Sequence, residues 1–192
     1  MARIRTYALV EPRTHSKKVE VEMKQLELIT EPVMDHDFHV ILDEDATVLA
    51  SGFGDIETLI ARMPENERQL PRKIASKNAI QRTWIQEYSR GNMSALDNFT
   101  VKQPGSEFYQ QCWNTLREIE PGQPLTYSQF AAAAGRPTAV RAAASTCARN
   151  LVALIVPCHR VVRTDGSAGN YLFGTKLKEQ LLAFELENNG EK

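Results

Sequence analysis

The residues best suited to chemistry are concentrated in one stretch, Leu151 to Val162, which reads Leu-Val-Ala-Leu-Ile-Val-Pro-Cys-His-Arg-Val-Val. Six apolar residues deliver Cys158 to the exit of a buried segment. Pro157 restricts Val156 to extended geometry and removes a backbone donor, so a regular ladder should stop there. Cys158 is thus predicted at the terminus of an element, where a thiol can meet a substrate. A thiol attacks only as thiolate, and the usual device for making one is a nearby histidine oriented by a carboxylate. His159 is adjacent in sequence, but neighbouring side chains on an extended segment face opposite ways, so contact between the two needs a bend or an intervening water. On spacing alone a second reading stays open, with Cys158 a small buried hydrophobe and His159 and Arg160 on the surface.

The elements that must position this stretch can be read from the rest of the chain. Its 192 residues suffice for one large domain or two small ones, and 42% hydrophobic content supports an ordinary core. No run is long and apolar enough to span a membrane, and Met1 to Val10 lacks the apolar centre of a signal peptide, so the expected location is the cytoplasm, or the nucleoid in a bacterium. Cys112, Cys147 and Cys158 lack metal-ligand spacing, and neither a disulfide framework nor a zinc site is expected. His36 and His39 beside Asp35 and Asp37 have no third ligand cluster to make them a metal site. The net charge of -1 divides unevenly. From Val101 onward ten Lys and Arg face eight Asp and Glu, +2, which leaves 13 against 16, or -3, for the first hundred residues. A nucleic-acid partner would therefore be held locally and not by a broad basic face.

The N-terminal part reads as mixed. Residues 1 to about 30 alternate loosely and suggest a strand or two after a polar turn at Pro12 to Lys18. Phe38 to Leu42 and Thr47 to Phe53 flank the acidic turn Asp43-Glu44-Asp45 and predict a hairpin. Asp55 to Met63 has a helical period, Pro64 to Lys73 reads as a loop, and Ile74 to Tyr88 reads as an amphipathic helix closed by Gly91 with Trp84 as a core anchor. A short strand is possible at Asn98 to Val101, and the Pro104-Gly105 turn suggests a boundary between a supporting module, 1–103, and a second domain, 104–192.

From Ser106 the pattern turns helical, with Phe108, Cys112, Trp113, Leu116 and Ile119 on one face. Thr126 with Gln129 forms a capping box that starts a short helix through Ala134. Gly135-Arg136-Pro137 turns the chain, and Thr138 to Arg149 is a second helix of mostly small residues. Two short helices joined by a glycine-containing turn are either a helix-turn-helix or a plain helical hairpin.

Several of these pieces, in order and spacing, are those of one family. Phe108 with Trp113, Pro121-Gly122, Leu125-Thr126-Tyr127, Ala134-Gly135-Arg136-Pro137, Arg141-Ala142, Asn150, Pro157 to Val161, Asp165-Gly166, Gly169-Asn170-Tyr171, Gly174, Lys178, Leu181-Leu182 and Glu185 resemble the O6-alkylguanine-DNA alkyltransferases. The resemblance covers roughly Phe108 to Glu185. It implies an α+β protein, a small N-terminal strand-and-helix module followed by a mainly helical domain carrying a helix-turn-helix and the Pro-Cys-His-Arg motif. It also implies a partner, double-stranded DNA containing O6-alkylguanine, entered through the minor groove by the second helix, with the damaged base flipped out. O4-methylthymine is expected as a poorer substrate.

The same resemblance assigns roles. Cys158 is the alkyl acceptor, His159 the base acting through a water, Glu185 the carboxylate orienting His159, and Tyr127 the hydroxyl that protonates the departing guanine. Arg141 is the finger that fills the vacated place in the duplex, with Arg136, Thr138, Ala139 and Ala142 around it on the DNA side. Asn150, Arg160, Val161, Tyr171, Leu172 and Phe173 are placed around the substrate pocket. No metal or cofactor is called for, since the alkyl donor is the DNA. The protein should be a monomer in solution and be consumed once per lesion. Four positions depart from the family pattern: Leu151 for proline, Arg149 for a small residue, Ala143-Ala144 for Val-Gly, and Phe173 for glycine. Two other classes of function remain to be weighed, a non-catalytic lesion binder, whose known forms lack the cysteine, and a cysteine hydrolase built on Cys158 and His159.

Overall fold

The computed structural model describes residues 24–189. The expectations for residues 1–23 lie outside these. Four strands, β1 (Leu26–Val33), β2 (His36–Leu42), β3 (Val48–Phe53) and β4 (Arg72–Ile74), form a sheet in the order β3-β2-β1-β4. The β2–β3 hairpin is the one predicted, and its acidic turn is tied by the Asp43 carboxylate, which accepts from the Asp45 and Thr47 amides. Alternate residues of β2 enter different cores, which explains its continuous apolar run: Phe38 and Val40 join the main cluster, Ile41 a smaller one. That smaller cluster is closed by α1 (Ile56–Ala61), whose Leu59 and Ile60 pack beneath Leu26 and Leu49. Asp55 caps α1, its carboxylate accepting from the Thr58 amide.

The reading of 64–88 needs correction. Pro64 is followed by one helical turn, α2 (Glu65–Arg68), and residues 72–74 form β4, parallel to β1, instead of a loop. The helix predicted from Ile74 starts at Ile80 (α3, Ile80–Ser89). The β1 edge takes the backbone of Arg72 to Ile74, and Ser76 then bonds the Asn78 amide, diverting the chain from helix until residue 80. Ile74 is left 73% exposed, and the core positions of α3 are Ile85 and Tyr88, with Trp84 half-buried against Phe99. The strand suggested at 98–101 reduces to a single bridge between Val101 and Val48, after a 3₁₀ segment at Met93–Asn98.

Helix α4 (Glu107–Glu118) is capped by Ser106 and buries Cys112, Trp113 and Leu116 as its stripe predicts. The Thr126–Gln129 capping box is present and opens α5 (Tyr127–Ala133). Gly135, at φ +75°, makes the left-handed turn that a side chain would resist. Helix α6 spans Val140–Arg149, two residues shorter at its start than expected, because the chain first closes a turn in which the Ala139 amide bonds the Arg136 carbonyl. Helix α7 (Thr175–Asn188) completes the fold. A mixed α+β architecture results, with one apolar cluster continuous from Ile29 and Val40 through Trp113 and Leu116 to Val156, Cys158 and Leu181.

Candidate active site

Residues 151–162 are buried throughout, as the apolar run predicts, but only the last two, Val161–Val162, lie in a strand. Val152 bridges to Ser51 of β3, the Ser51 amide donates to the Leu151 carbonyl, and the Ala153 amide returns a bond to Ser51. The chain then reverses at Leu154, which adopts φ +70°. Pro157, at φ -81° and ψ 65°, forms an inverse γ-turn in which the Cys158 amide bonds the Val156 carbonyl at 2.8 Å. Cys158 to Arg160 make a single 3₁₀ turn, so the cysteine and histidine lie on a bend and not on an extended segment. A two-residue ladder, β5 (Leu125–Thr126) beside β6 (Val161–Val162), ties the exit of that turn to the entrance of α5. Tyr127, the first residue of α5, is thereby brought to the cavity that Cys158 lines.

That cavity holds about 400 Å³ and is lined by Tyr127, Asn150, Cys158, Tyr171, Leu172 and Phe173, all predicted, together with Asn170, Ala153 and the Ala144, Cys147 and Ala148 face of α6. Leu172 is 54% exposed at its rim. Phe173 is held from behind. Its ring lies so close on Gly52 of β3 that a β-carbon there would overlap it, and it meets Phe53 and Tyr171 edge to face at 5.7 and 5.4 Å.

Behind Cys158 lies a closed polar cluster. His159 is 0% exposed and its Nε2 lies 2.9 Å from Glu185 Oε1. An Nε2–H donating to the carboxylate fixes the tautomer and leaves Nδ1 as the free base. Glu185, also 0% exposed, receives two further bonds from Arg160, Nε to Oε2 at 2.9 Å and Nη2 to Oε1 at 3.0 Å, and one from the Tyr88 hydroxyl at 3.1 Å. Burial works against ionising Glu185, yet its interactions with His159, which is charged at the acid pH where the carboxyl titrates, and with Arg160 overcome this and hold it down at about 2. Burial pushes His159 below its ordinary value, so the ring is neutral at pH 7 and the charge balancing Glu185 there is that of Arg160. Burial likewise pushes the Cys158 thiol up, against the pull of the Asn150 side chain, Lys178 and Arg62. The site therefore holds a thiol and a neutral imidazole.

One assignment is corrected by this geometry, that of Arg160, and Val161 could meet a substrate only through its backbone. Arg160 does not line the substrate cavity. It turns away from it to clamp Glu185 and to donate to the Ile119 carbonyl at the end of α4. The Val161 side chain is wholly buried off the cavity, and its carbonyl already accepts from Lys178 Nζ at 2.6 Å. Asn150 is an interior hub. Its Nδ2 donates to the Val156 carbonyl at 2.8 Å, and its Oδ1 accepts from the Val152 amide and from Gln103. The departure at Leu151 has a physical reason here, because its amide donates to Gln103 Oε1 at 2.8 Å and a proline would have none to give. On α6 and the turn before it, Arg136, Thr138, Arg141 and Ala142 are exposed and Ala139 half-buried, with Arg136 resting over the Phe108 ring at 4.7 Å.

Sequence reasoning missed four participants. Lys178 is 1% exposed, and burial lowers its pKa. Tyr88 and Gln103 complete the bonding of Glu185 and Asn150. Arg62, at the end of α1, donates to the Ala148 and Asn150 carbonyls at the end of α6. A signal for Lys178 does exist, since 178, 181 and 185 recur at helical spacing around the buried Leu181 and put the lysine on the face of Glu185.

The family profile described as 6-O-methylguanine DNA methyltransferase, DNA binding domain, matches residues 107–187. The bifunctional transcriptional activator and DNA repair enzyme Ada of Escherichia coli K12 is 52% identical over 84 residues, 44% of this chain and 24% of Ada. A probable methylated-DNA--protein-cysteine methyltransferase of Acanthamoeba polyphaga mimivirus is 39% identical over 112 residues, 58% of this chain and 73% of the viral protein. The chain thus spans about a quarter of the length of Ada. Among solved structures, the O6-methylguanine methyltransferase of Mycobacterium tuberculosis superposes with a TM-score of 0.66 at 22% identity, covering 86% of this chain and 94% of that one. The OGT of the same organism in complex with DNA gives 0.66 over 85% and 94% at 22% identity. These structural likenesses establish the mixed α+β fold, and the extent and identity of the viral match establish kinship: the chain belongs to the 6-O-methylguanine DNA methyltransferase family.

Proposed function

We propose that this protein repairs DNA by taking the alkyl group of O6-alkylguanine onto Cys158, once per chain. The observation that carries the reading is a buried thiol on the wall of a base-sized cavity, backed by a neutral histidine whose far nitrogen is bonded to a buried carboxylate. Helix α5, the Gly135 turn and α6 act as a helix-turn-helix, with the small residues of α6 approaching the minor groove and Arg141 entering the duplex as the base leaves it. The DNA-bound structural neighbour and the family's DNA-binding domain support that partner. Residues 1–103 serve as the supporting module and 104–192 as the DNA-binding and acceptor domain.

In the reaction the Cys158 sulfur forms a bond to the alkyl carbon as the carbon–O6 bond breaks. The thiol proton passes through a water to His159 Nδ1, and Glu185 stabilises the resulting imidazolium. Guanine leaves with negative charge on its ring and takes a proton from the Tyr127 hydroxyl, which recovers one from solvent as the imidazolium releases its own. The product thioether is no leaving group, so Cys158 is not regenerated, and the DNA itself supplies the alkyl group. Phe173, pressed against Gly52, narrows the cavity and favours small alkyl groups over benzyl.

Intact-protein mass spectrometry after incubation with an oligonucleotide carrying one O6-methylguanine tests the reading. The expected result is a gain of one methylene mass, saturating at one per chain and absent in Cys158→Ser. Retention of the oligonucleotide without mass gain would mean lesion sensing instead, and repeated turnover of a small ester or amide would mean a hydrolase.

A further inference from the structure

Three buried polar atoms have no hydrogen-bond partner among the described residues, Arg62 Nη1, His159 Nδ1 and the Tyr171 hydroxyl, and the last two are on neighbouring rings. Native interiors rarely leave such atoms unsatisfied, and when they do the cause is usually a bound water, an ion or a reacting group. The two belong together. The rings meet edge to face with centroids 6.5 Å apart, and Tyr171 lines the same cavity as Cys158. Phe173 packs against the other side of the phenol and restricts its swing. A thiol, a phenol and the ring nitrogen of the residue next to the thiol would together give one water the two to four partners it needs.

We infer that the Tyr171 hydroxyl is a positioning residue which, together with His159 Nδ1, holds the water that carries the Cys158 proton. This deepens the alkyl-transfer reading and rests on it. In the step, the S–H bond breaks and its proton joins the water oxygen while a different proton of that water passes to Nδ1. The sulfur keeps the electron pair that then bonds the alkyl carbon, and the water is unchanged at the end. Burial holds the Tyr171 phenol well above its ordinary pKa, so it stays protonated and serves only as a hydrogen-bonding partner. Without it the water retains two of three contacts and loses its fixed place between sulfur and nitrogen.

Tyr171→Phe removes the oxygen and keeps the ring that packs on Phe173, and since no protein bond is lost the variant should melt with or above the parent. Three rates are compared in the parent, Tyr171→Phe, His159→Asn and the double variant. They are iodoacetamide alkylation of Cys158, read by mass, the single-turnover methyl transfer from the O6-methylguanine oligonucleotide, and the affinity for that oligonucleotide measured on a Cys158→Ser background. The relay predicts roughly five- to tenfold slower alkylation and transfer in Tyr171→Phe with unchanged affinity. It also predicts that Tyr171→Phe adds no further loss once His159 is replaced. Equal rates in parent and variant would overturn it, as would a Tyr171 effect that persists in full without His159. A variant that fails to fold would assign the hydroxyl a structural bond and overturn it too. The iodoacetamide arm needs no DNA, so a parent that alkylates slowly in Tyr171→Phe but never accepts methyl from DNA would sink the alkyl-transfer reading and leave the relay standing.

Discussion

The two nitrogens of His159 face regions of opposite character. Behind Nε2 every polar atom of Glu185 and its partners is bonded, with Arg160, Tyr88 and the imidazole converging on one carboxylate at 2.9 to 3.1 Å. In front, Nδ1 has no partner among the described residues, and the adjoining Cys158 and the unpartnered Tyr171 phenol line a cavity of about 400 Å³. Under the proposed function the difference separates stability from reactivity: the back fixes the ring and its tautomer, and the front is left open for groups that arrive with the substrate. Variants behind the ring should therefore cost both folding and transfer, and variants in front should cost transfer alone.

The sharpest break in that contrast is Glu185→Gln. It leaves Arg160 buried beside a neutral amide, and a buried charge that loses its partner costs on the order of 3–5 kcal/mol. Transfer should fall at least ~100-fold as the imidazolium loses its stabiliser, measured by single-turnover kinetics beside a denaturant titration. The same carboxylate sets an acid limit. Its folded pKa, about 2, lies below the ordinary 4.5, so its contribution is fully present above pH 4.5 and is lost as the pH falls from there toward 2. Thermal melts across that window should show a decline that is much reduced in Glu185→Gln.

A smaller effect is expected from Lys178→Met, which tests whether the Val161 carbonyl belongs to the back or the front. Losing the 2.6 Å bond to a buried carbonyl should cost about 1–3 kcal/mol. A Cys158 thiol less reactive toward iodoacetamide would extend the lysine's influence to the front, and unchanged reactivity would confine it to the back. Phe173→Gly is a front-side change, and inactivation by O6-benzylguanine should become several-fold faster, roughly the effect of 1 kcal/mol in the barrier. Equal rates would show that the wall does not limit adduct size. Least of all, Thr126→Ala removes the cap of α5 at a cost of about 1 kcal/mol, read in the melting temperature, with transfer at saturating DNA unchanged.

Much of the front was legible in the sequence because it rests on local signals. The capping box at Thr126, the exit of the apolar run at Pro157 and the stripe of α4 each depend on residues within a turn or two. The back was legible only through family resemblance, and then partly misplaced. Arg160 was put in the pocket since nothing near it in sequence shows that Glu185, 25 residues on, would turn it inward. Lys178 was matched to the family but given no role because a lysine on a helix reads as solvated, and α7 carries both Lys178 and Glu185 on the face it buries, which weakens its apolar period. Strand β4 was missed for a related reason. Its three residues are all exposed, so the alternation that marks a half-buried strand is absent and only the β1 edge makes it a strand.

The pairing of Ser51 with residues 151–153 also bears on how the chain assembles. Ser51 Oγ donates to the Ala153 carbonyl at 2.7 Å across 102 residues of sequence. A contact of that separation closes only after a large loop has been brought together, and such contacts slow folding. During synthesis β3 emerges long before the segment that it will hold. The segment that carries Cys158 is then the part of the molecule completed late, on an edge strand that has been waiting for it.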